Sequence, residues 1–152
     1  GLENLAKVVA NYKSGNLENV PGAGAAGGLG FGAMAFLDAE LVSGIELVME
    51  ITRFREKLNN CNLIITGEGK IDQQTLSGKV IKGITSEAGI RSIPTYALCG
   101  SLEADPELIE GLGLVYAASV INRPMSLEEA LASGYEAVKF HAFQLGRLLK
   151  EN

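Results

Sequence analysis

Three short apolar runs alternate with helical patterns, and this alternation constrains the fold more than any other feature of the sequence. Each run has the length and composition of a buried strand, and the three lie at residues 63–66, 93–98 and 114–120. A helical pattern follows each run, beginning at about residue 78, at Asp105 and at Ser126. Alternating strands and helices build a parallel sheet with helices on both faces, because parallel strands need crossover connections. From about residue 61 the sequence therefore predicts a three-layer α/β fold, with a mainly parallel sheet in a Rossmann-like β-α-β-α-β-α order.

The part of the chain before residue 61 is rich in helical patterns and shows no clear strand. Apolar residues recur at helical spacing from Leu2 to Val9, and Ser43 with Glu46 matches a capping box that opens another helix. With 152 residues, the chain is long enough for one domain that buries about 70% of its unfolded surface. We therefore expect a single domain over residues 1–152, helix-rich at its start, with a candidate subdomain edge near residue 60.

The composition excludes several classes of protein. The chain is 47% hydrophobic and 20% charged, which is typical of a globular protein rather than a disordered one. Its net charge of -5, with acids and bases interspersed, argues against nucleic acid as a partner, because binding the phosphate backbone needs a basic face. No apolar run approaches the ~18 residues of a membrane span, so the sequence predicts no membrane association.

The two cysteines and the single histidine are interpreted as packing residues. Cys61 and Cys99 lie far apart at strand-like positions, so we expect two reduced thiols in a cytoplasmic protein. His141 lies on the apolar stripe of the last helix, with no cysteine or acid at ligand spacing. None of the three is therefore a candidate for catalysis or metal binding.

A glycine-rich segment at residues 21–32 is the first candidate site. Its Gly22-x-Gly24-x-x-Gly27 spacing matches the dinucleotide-binding fingerprint, but no apolar strand precedes it. The fingerprint also requires an acid about 20 residues later, and the acids in that region match this position only approximately. What remains is a turn at a helix N-terminus, where backbone amides can approach a phosphate or a carboxylate. The alternative is that small residues only allow close helix packing. The glycines assigned to anion binding are Gly24, Gly27, Gly28 and Gly30.

The stretch from residue 66 to residue 79 is the second candidate site, because the first apolar run gives way there to glycines, charges and hydroxyls. A polar turn between a strand and a helix is where α/β sheets bind ligands. Glu68 and Asp72 can hold Mg²⁺ through oxygen, Lys70 and Lys79 can neutralise phosphate charge, and Thr75 can donate to an oxyanion. A solvated loop with local ion pairs is the alternative. The other candidate residues of this stretch are Thr66, Gly67 and Gly69.

Both segments resemble signatures of the bacterial type I glycerate kinase family. The matching stretches are Pro-Gly-Ala-Gly-Ala-Ala-Gly-Gly-Leu-Gly at residues 21–30 and Ile-Ile-Thr-Gly-Glu-Gly-Lys-Ile-Asp-Gln-Gln-Thr at residues 64–75, with further agreement at residues 43–46, 78–80 and 124–130. Members of this family transfer the γ-phosphoryl group of ATP, with Mg²⁺, to D-glycerate. The resemblance therefore implies an ATP-dependent phosphotransferase, with ATP and Mg²⁺ as cofactors and D-glycerate and ATP as its small-molecule partners.

The resemblance also implies that the chain is the C-terminal portion of a larger two-domain kinase. Family members are more than twice as long, and both their N-terminal Lys- and Ser-containing loop and their Asp-Gly-Gly-rich acidic motif have no counterpart here. We therefore expect a fragment that carries part of the active site and need not be active alone. Such a fragment exposes apolar surface that favours homo-oligomers.

Under this hypothesis, Glu68 and Asp72 position Mg²⁺, or Asp72 orients the glycerate hydroxyl as a base, while Lys70 and Lys79 stabilise the transferring group. The glycine-rich turn holds either the glycerate carboxylate or a nucleotide phosphate. Two alternatives stay open. An NAD-binding oxidoreductase module requires a strand just before Pro21, and a non-catalytic sugar-acid or nucleotide binding domain binds its ligand without phosphate transfer.

Overall fold

The computed structural model describes residues 1–13, 15–77 and 80–150, and shows an α/β protein with a three-stranded parallel sheet. In sheet order the strands are β1 (Ile64–Ile71), β2 (Thr95–Leu102) and β3 (Tyr116–Ser119). The α-helices are α1 (Leu2–Val9), α2 (Ala25–Leu37), α3 (Gly44–Ile51), α4 (Phe54–Lys57), α5 (Val80–Ile90), α6 (Pro106–Gly111) and α7 (Leu127–Lys150). Short 3₁₀ helices lie at Leu17–Asn19, Leu58–Asn60 and Gln73–Ser77. The predicted fold class and the parallel sheet are confirmed.

The first two strands are longer than the sequence predicted at their carboxyl ends. β1 pairs with β2 from Ile64 opposite Thr95 to Ile71 opposite Leu102. Residues 67–70, predicted as the beginning of a polar loop, therefore belong to the strand, and that prediction was wrong. These residues are exposed, so no apolar alternation marks them in the sequence, whereas pairing with the neighbouring strand keeps their backbone extended.

The three parallel strands bring their carboxyl ends to the same edge of the sheet. β2 pairs with β3 from Tyr96 opposite Tyr116 to Cys99 opposite Ser119. The Oγ of Ser119 donates to the carbonyl of Gly100 at 2.9 Å, which ties the end of β3 to β2. In open α/β sheets this edge is where ligands bind.

The sheet packs against α5 and α6 in the best-buried core of the chain. The members of this core are Ile71, Ile81, Ala97, Cys99, Leu108, Leu112 and Leu114. Each fully buried leucine or isoleucine contributes about 1.5–3 kcal/mol relative to exposure to water. A smaller cluster of Leu58, Ile64, Ala88 and Ile93 joins α5 to the beginning of β1. The predicted strand–helix alternation thus yields a packed layer of helices on the sheet.

Two of the predicted helix starts are confirmed by their capping bonds. The Asp105 side chain accepts from the amide of Leu108 at 2.8 Å and begins α6. At the start of α7, the amide of Ser126 donates to the Glu129 carboxylate at 2.9 Å, and the amide of Glu129 donates to the Ser126 hydroxyl at 3.2 Å. These local signals depend only on neighbouring residues, which is why the sequence was sufficient to find them.

The end of α5 differs from its prediction. The helix continues past Gly89, the predicted stop, and is closed by Ser92, which adopts φ 55°. The amide of Ile93 donates to the carbonyl of Ala88 at 3.0 Å, and the amide of Ser92 donates to that of Gly89 at 3.1 Å. This is the Schellman arrangement with a serine in the left-handed position that glycine usually occupies, so a search for glycine missed it.

The chain divides into two compact units, of which the first is Gly1–Ser43 and the second begins at Gly44. In the first unit, α1 and α2 share an apolar cluster of Val9, Ala23, Phe31, Met34 and Ala35. Lys13, which follows α1, forms an ion pair with Asp38, which follows α2. The single domain and the edge near residue 60 that the sequence predicts stay predictions.

Cys61 and Cys99 are both free thiols, as predicted. Cys99 is buried, its Sγ donates to the carbonyl of Ala118 at 3.5 Å, and burial raises the pKa of its thiol. A thiol that stays protonated is a poor nucleophile. His141 has Nδ1 3.0 Å from the carbonyl oxygen of Ala137, which accepts a hydrogen bond within α7. These contacts support the packing roles that the sequence indicated.

Candidate active site

A polar cleft of about 460 Å³ lies at the carboxyl end of β1. Its lining residues are Glu68, Gly69, Lys70, Asp72, Gln74 and Thr75. All of these except Gln74 were candidate site residues in the sequence. Although residues 67–70 are strand rather than loop, the structure therefore gathers most of the predicted polar residues of this stretch around one opening.

Asp72 and Thr75 shape the turn that follows β1. The Oδ1 of Asp72 accepts from the amide of Gln74 at 2.9 Å, and the Oγ1 of Thr75 accepts from the amide of Asp72 at 3.1 Å. The amide of Thr75 also donates to the carbonyl of Asp72 at 2.9 Å. These reciprocal bonds begin the 3₁₀ helix Gln73–Ser77. Both side chains are consequently fixed in position at the edge of the cleft.

Lys70 is held between two carboxylates. Its Nζ lies 2.8 Å from Oε2 of Glu103 and 3.3 Å from Oδ2 of Asp72. The hydrogen bond to Glu103, and then that to Asp72, raises the pKa of Lys70 above its ordinary value. The ammonium group therefore remains charged and lies next to the carboxylate of Asp72. Glu103 was not among the predicted site residues, because it follows β2 and only the sheet pairing brings it to the end of β1.

Glu68 lies where the polar cleft meets a second opening, and it lines both. It is exposed, and it stands opposite Cys99 in the sheet register. A Cβ placed on the neighbouring Gly69 would meet no atom within 4 Å, so the space beside Glu68 is open. Glu68 is thus an exposed residue at the junction of the two clefts.

The second opening, the apolar cleft, has a volume of about 1230 Å³ and is lined mainly by apolar residues. Strand residues form its floor, including the predicted site residues Thr66 and Gly67. One face of α7 forms a wall of the cleft, with the lining positions Leu127, Ala130, Leu131, Gly134, Val138 and Ala142. Three serines, Ser101, Ser119 and Ser126, are also among its lining residues. A polar and an apolar cleft therefore adjoin at the ligand-binding edge of the sheet.

The glycine-rich segment lies in the first unit and has an unusual backbone. Three consecutive residues, Ala26, Gly27 and Gly28, have positive φ angles of 50°, 69° and 94° inside α2. Left-handed residues normally occur singly, and a non-glycine residue there costs of order 1 kcal/mol. Strained backbone of this kind is concentrated at functional sites.

Packing explains some of these glycines but not all of them. A Cβ at Gly28 would overlap the side chain of Leu2, and a Cβ at Gly30 would overlap the carbonyl of Gly22. Gly24, in contrast, has an ordinary φ of -77° and no atom within 4 Å of its missing Cβ. Close packing against the backbone therefore accounts for Gly30, and the φ of 94° accounts for Gly28, whereas neither reason applies to Gly24.

The sequence model of the glycerate kinase family matches residues 1–150. The chain belongs to the glycerate kinase family. A glycerate kinase of Halalkalibacterium halodurans is 42% identical over 133 residues, which are 88% of this chain and 35% of that protein. The glycerate 2-kinase of Escherichia coli is 39% identical, over 90% of this chain and 36% of its own length. A glycerate kinase of Bacillus cereus is 34% identical, over 98% of this chain and 39% of its own length.

These glycerate kinases extend well beyond the segment that matches this chain. The chain spans between 35% and 39% of the length of the three relatives. Membership of this family accounts for the sequence motifs at residues 21–30 and 64–75.

The residues that line the polar cleft include possible ligands for Mg²⁺. Within residues 1–13, 15–77 and 80–150, no group of three or more His, Cys, Asp and Glu side chains is placed to hold a metal ion. Glu68 and Asp72 nevertheless line the same cleft. Mg²⁺ is usually held by one or two carboxylates together with phosphate oxygens and water. The donor set therefore fits an ion that is bound jointly with a nucleotide.

Two further predictions have different outcomes. Lys79 lies outside the described residues, so its assignment to phosphate binding stays a prediction. The strand that an NAD-binding module requires before Pro21 is absent from the described residues, and the 3₁₀ helix Leu17–Asn19 lies there instead.

In the described part of the chain, no helix combines the length and the apolar content needed to cross a membrane.

Proposed function

We propose that this chain is part of an ATP-dependent glycerate kinase, which transfers the γ-phosphoryl group of ATP to a hydroxyl of D-glycerate. The observation that carries this proposal is the polar cleft, where two carboxylates and a lysine meet at the carboxyl end of β1 in a chain of this family. Phosphoryl transfer depends mainly on positioning and on neutralising charge, and this cleft offers groups for both tasks. A cytoplasmic location, where ATP is available, belongs to the same proposal.

In this proposal Glu68 and Asp72 hold Mg²⁺, which would neutralise the phosphate oxygens when it is bound. Alternatively, Asp72 orients the acceptor hydroxyl and takes its proton through Oδ2, which lies 3.3 Å from Nζ of Lys70, while the amide of Gln74 holds Oδ1 in position. Lys70 stabilises the charge on the transferring group. Its bond to Glu103 keeps the ammonium at the edge of the cleft before a ligand arrives. Thr66, Gly67, Gly69, Thr75 and Lys79 complete the proposed phosphate and substrate contacts.

The glycine-rich turn is the proposed anion site for the glycerate carboxylate or a nucleotide phosphate. At Gly24 no atom lies within 4 Å of the missing Cβ, so an anion could approach the backbone of the turn there. Gly27 contributes its positive φ, while Gly28 and Gly30 allow the turn to pack. Backbone amides exposed by such a turn bind anions with little steric hindrance.

The proposal is tested in a chimera, in which this chain replaces the matching segment of the Halalkalibacterium halodurans glycerate kinase. We expect ATP- and D-glycerate-dependent formation of phosphoglycerate, measured by a coupled assay of ADP release. Glu68→Gln and Asp72→Asn should each lower kcat by about 10²–10³-fold, because each removes a carboxylate that would hold Mg²⁺ against the phosphate oxygens. Asp72→Asn keeps an oxygen that can accept from Gln74, so the turn should survive.

The control is Glu107→Gln, which removes an exposed carboxylate of α6 and should leave kcat unchanged. Glu68→Gln and Glu107→Gln should melt within about 2 °C of the parent chimera, because substitutions at exposed positions change stability little. Asp72→Asn, at a half-buried position, should also melt close to the parent, because it keeps the bond from the amide of Gln74. Full activity in both Glu68→Gln and Asp72→Asn would contradict the assigned roles. Binding of ATP without any transfer to D-glycerate would instead favour the non-catalytic binding domain.

A further inference from the structure

The apolar cleft exposes side chains that proteins normally bury. Ile65 in β1 is 54% exposed, and Leu127 and Leu131 in α7 are 76% and 74% exposed. All three line the cleft. Contiguous apolar surface that lines a concave opening usually marks an interface, whereas scattered exposed leucines need no explanation.

The face of α7 that lines this cleft has the pattern of an interior helix face. The lining positions recur at intervals of three and four residues, and they are Leu127, Ala130, Leu131, Gly134, Val138 and Ala142. The opposite face carries the charged residues Glu129, Glu136 and Arg147, together with the exposed Phe140 and Phe143. A helix with this division buries its apolar face against another element. The sheet covers only part of that face, since leucines on it remain largely exposed.

The length of the relatives indicates what covers the rest. The three glycerate kinases are matched over only 35–39% of their length, so most of each protein lies outside the segment that this chain represents. We propose that the apolar cleft is an interface with that remaining portion of a glycerate kinase, which fills it with apolar side chains. This inference rests on the family and on the exposed cleft. It concerns the side of the cleft formed by α7 and Ile65, because Thr66 and Gly67 on the floor are proposed substrate contacts.

A second copy of the chain fits the cleft poorly. A two-fold symmetric contact places the same patch of both copies face to face. Because the cleft is concave, with strands on one side and α7 on the other, two such openings would enclose an unfilled volume rather than interdigitate. A segment that protrudes into the cleft fills it better, and the remaining portion of a kinase can provide one.

The test compares cysteine labelling in the isolated chain and in the chimera with the Halalkalibacterium halodurans enzyme, both in a Cys61→Ser background. Leu131→Cys should react quickly with a maleimide dye in the isolated chain and about tenfold or more slowly in the chimera, because a buried thiol reacts only when the interface opens. The matched control is Phe143→Cys, since Phe143 is 65% exposed on α7 and does not line the cleft. Its labelling rate should be similar in both proteins.

Equal labelling of Leu131→Cys in both proteins would overturn the proposal. Protection in the isolated chain that increases with concentration would assign the cleft to a second copy, and protection at every concentration would assign it to residues 1–43 of the same chain. Either result would also overturn it. These readouts need no turnover, so an inactive chimera does not affect them.

If the chimera does not fold, a second measurement tests the same interface. The tagged chain is co-expressed with the portion of the relative that lies outside the match, and the two are expected to purify together. Leu131→Asp should abolish this association while leaving the melting temperature of the isolated chain nearly unchanged, because the side chain is already exposed there. Phe143→Asp should retain the association. Retention by Leu131→Asp, or no association of the parent chain, would refute the interface.

Discussion

At the scale of single residues, the polar cleft shows which side chains the sequence could identify. Glu68, Lys70, Asp72 and Thr75 stand close together in the chain, and the structure places them around one opening. Glu103 is 33 positions beyond Lys70 and nevertheless bonds to it at 2.8 Å. Nothing in its local sequence marks this role, because the contact arises from the register in which Lys70 lies opposite Ser101.

Replacing Glu103 should change the titration of Lys70. Glu103→Gln removes the first cause of the raised pKa, so the pKa of Lys70 should fall toward its ordinary value of 10.5. A lysine with a raised pKa stabilises the fold fully below its unfolded pKa and loses that effect as pH rises through the folded value. NMR titration of the Lys70 side chain measures the shift. Glu107→Gln is the control, and an unchanged pKa in Glu103→Gln would show that the ion pair does not persist in solution.

At the scale of elements, one arginine links three helices of the second unit. Arg55 of α4 donates from Nε to Oε1 of Glu87 in α5 at 2.7 Å, and its guanidinium also bonds Glu46 of α3. The hydrogen bond from Arg55, together with that from Arg91, lowers the pKa of Glu87. Nothing in the sequence near Arg55 marks these partners, and only the packing of the three helices shows them.

Removing this link should alter the acid sensitivity of the chain. A carboxylate with a lowered pKa stabilises the fold above its unfolded value of about 4.5 and loses that effect as pH falls through the folded value. Arg55→Met should therefore reduce the free energy of unfolding at pH 7, and its difference from the parent should shrink below about pH 4.5. Urea denaturation at a series of pH values measures this. Arg147→Met, at an exposed position of α7, serves as control, and a difference that stays constant with pH would contradict the prediction.

At the scale of the whole molecule, the sheet is packed unequally. Its contact with α5 and α6 contains side chains without any exposure, such as Ile81 and Leu112. The apolar cleft beside α7 is open, with Leu131 largely exposed. The stability of the isolated chain therefore depends mainly on the packing of the sheet against α5 and α6. Under the proposed interface, the apolar side chains beside α7 contribute fully only when the remaining portion of the kinase covers them.

A pair of substitutions in α5 tests this distribution. Ile81→Ala should lower the free energy of unfolding by about 2–5 kcal/mol, because it leaves a cavity in the core. Ile90→Ala, at a position 77% exposed in the same helix, should change it by no more than about 0.5 kcal/mol. Urea denaturation with an unchanged slope identifies a pure stability effect. Similar losses in both variants would mean that this core is not packed as described.

The sequence by itself determined the features that depend on neighbours in the chain. The strand–helix alternation, the caps at Asp105 and Ser126, and the polar cluster near Asp72 all follow from residues within a few positions of one another. The motifs at residues 21–30 and 64–75 were also sufficient to indicate the family. Local hydrogen bonds and hydrophobic periodicity act over such short distances, so they can be recognised without a structure.

Only the tertiary structure decided the features that depend on distant pairing. It extended β1 through Gly67 and Glu68, because exposed strand residues are held by their neighbour and not by their own pattern. It brought Glu103 to Lys70, and it separated glycines required by packing from Gly24, which packing does not explain. It also showed that the apolar cleft is open, because the sequence identifies an apolar helix face but not the element that covers it. Contacts between residues far apart in the chain are fixed by the fold as a whole, which is why these features became visible only there.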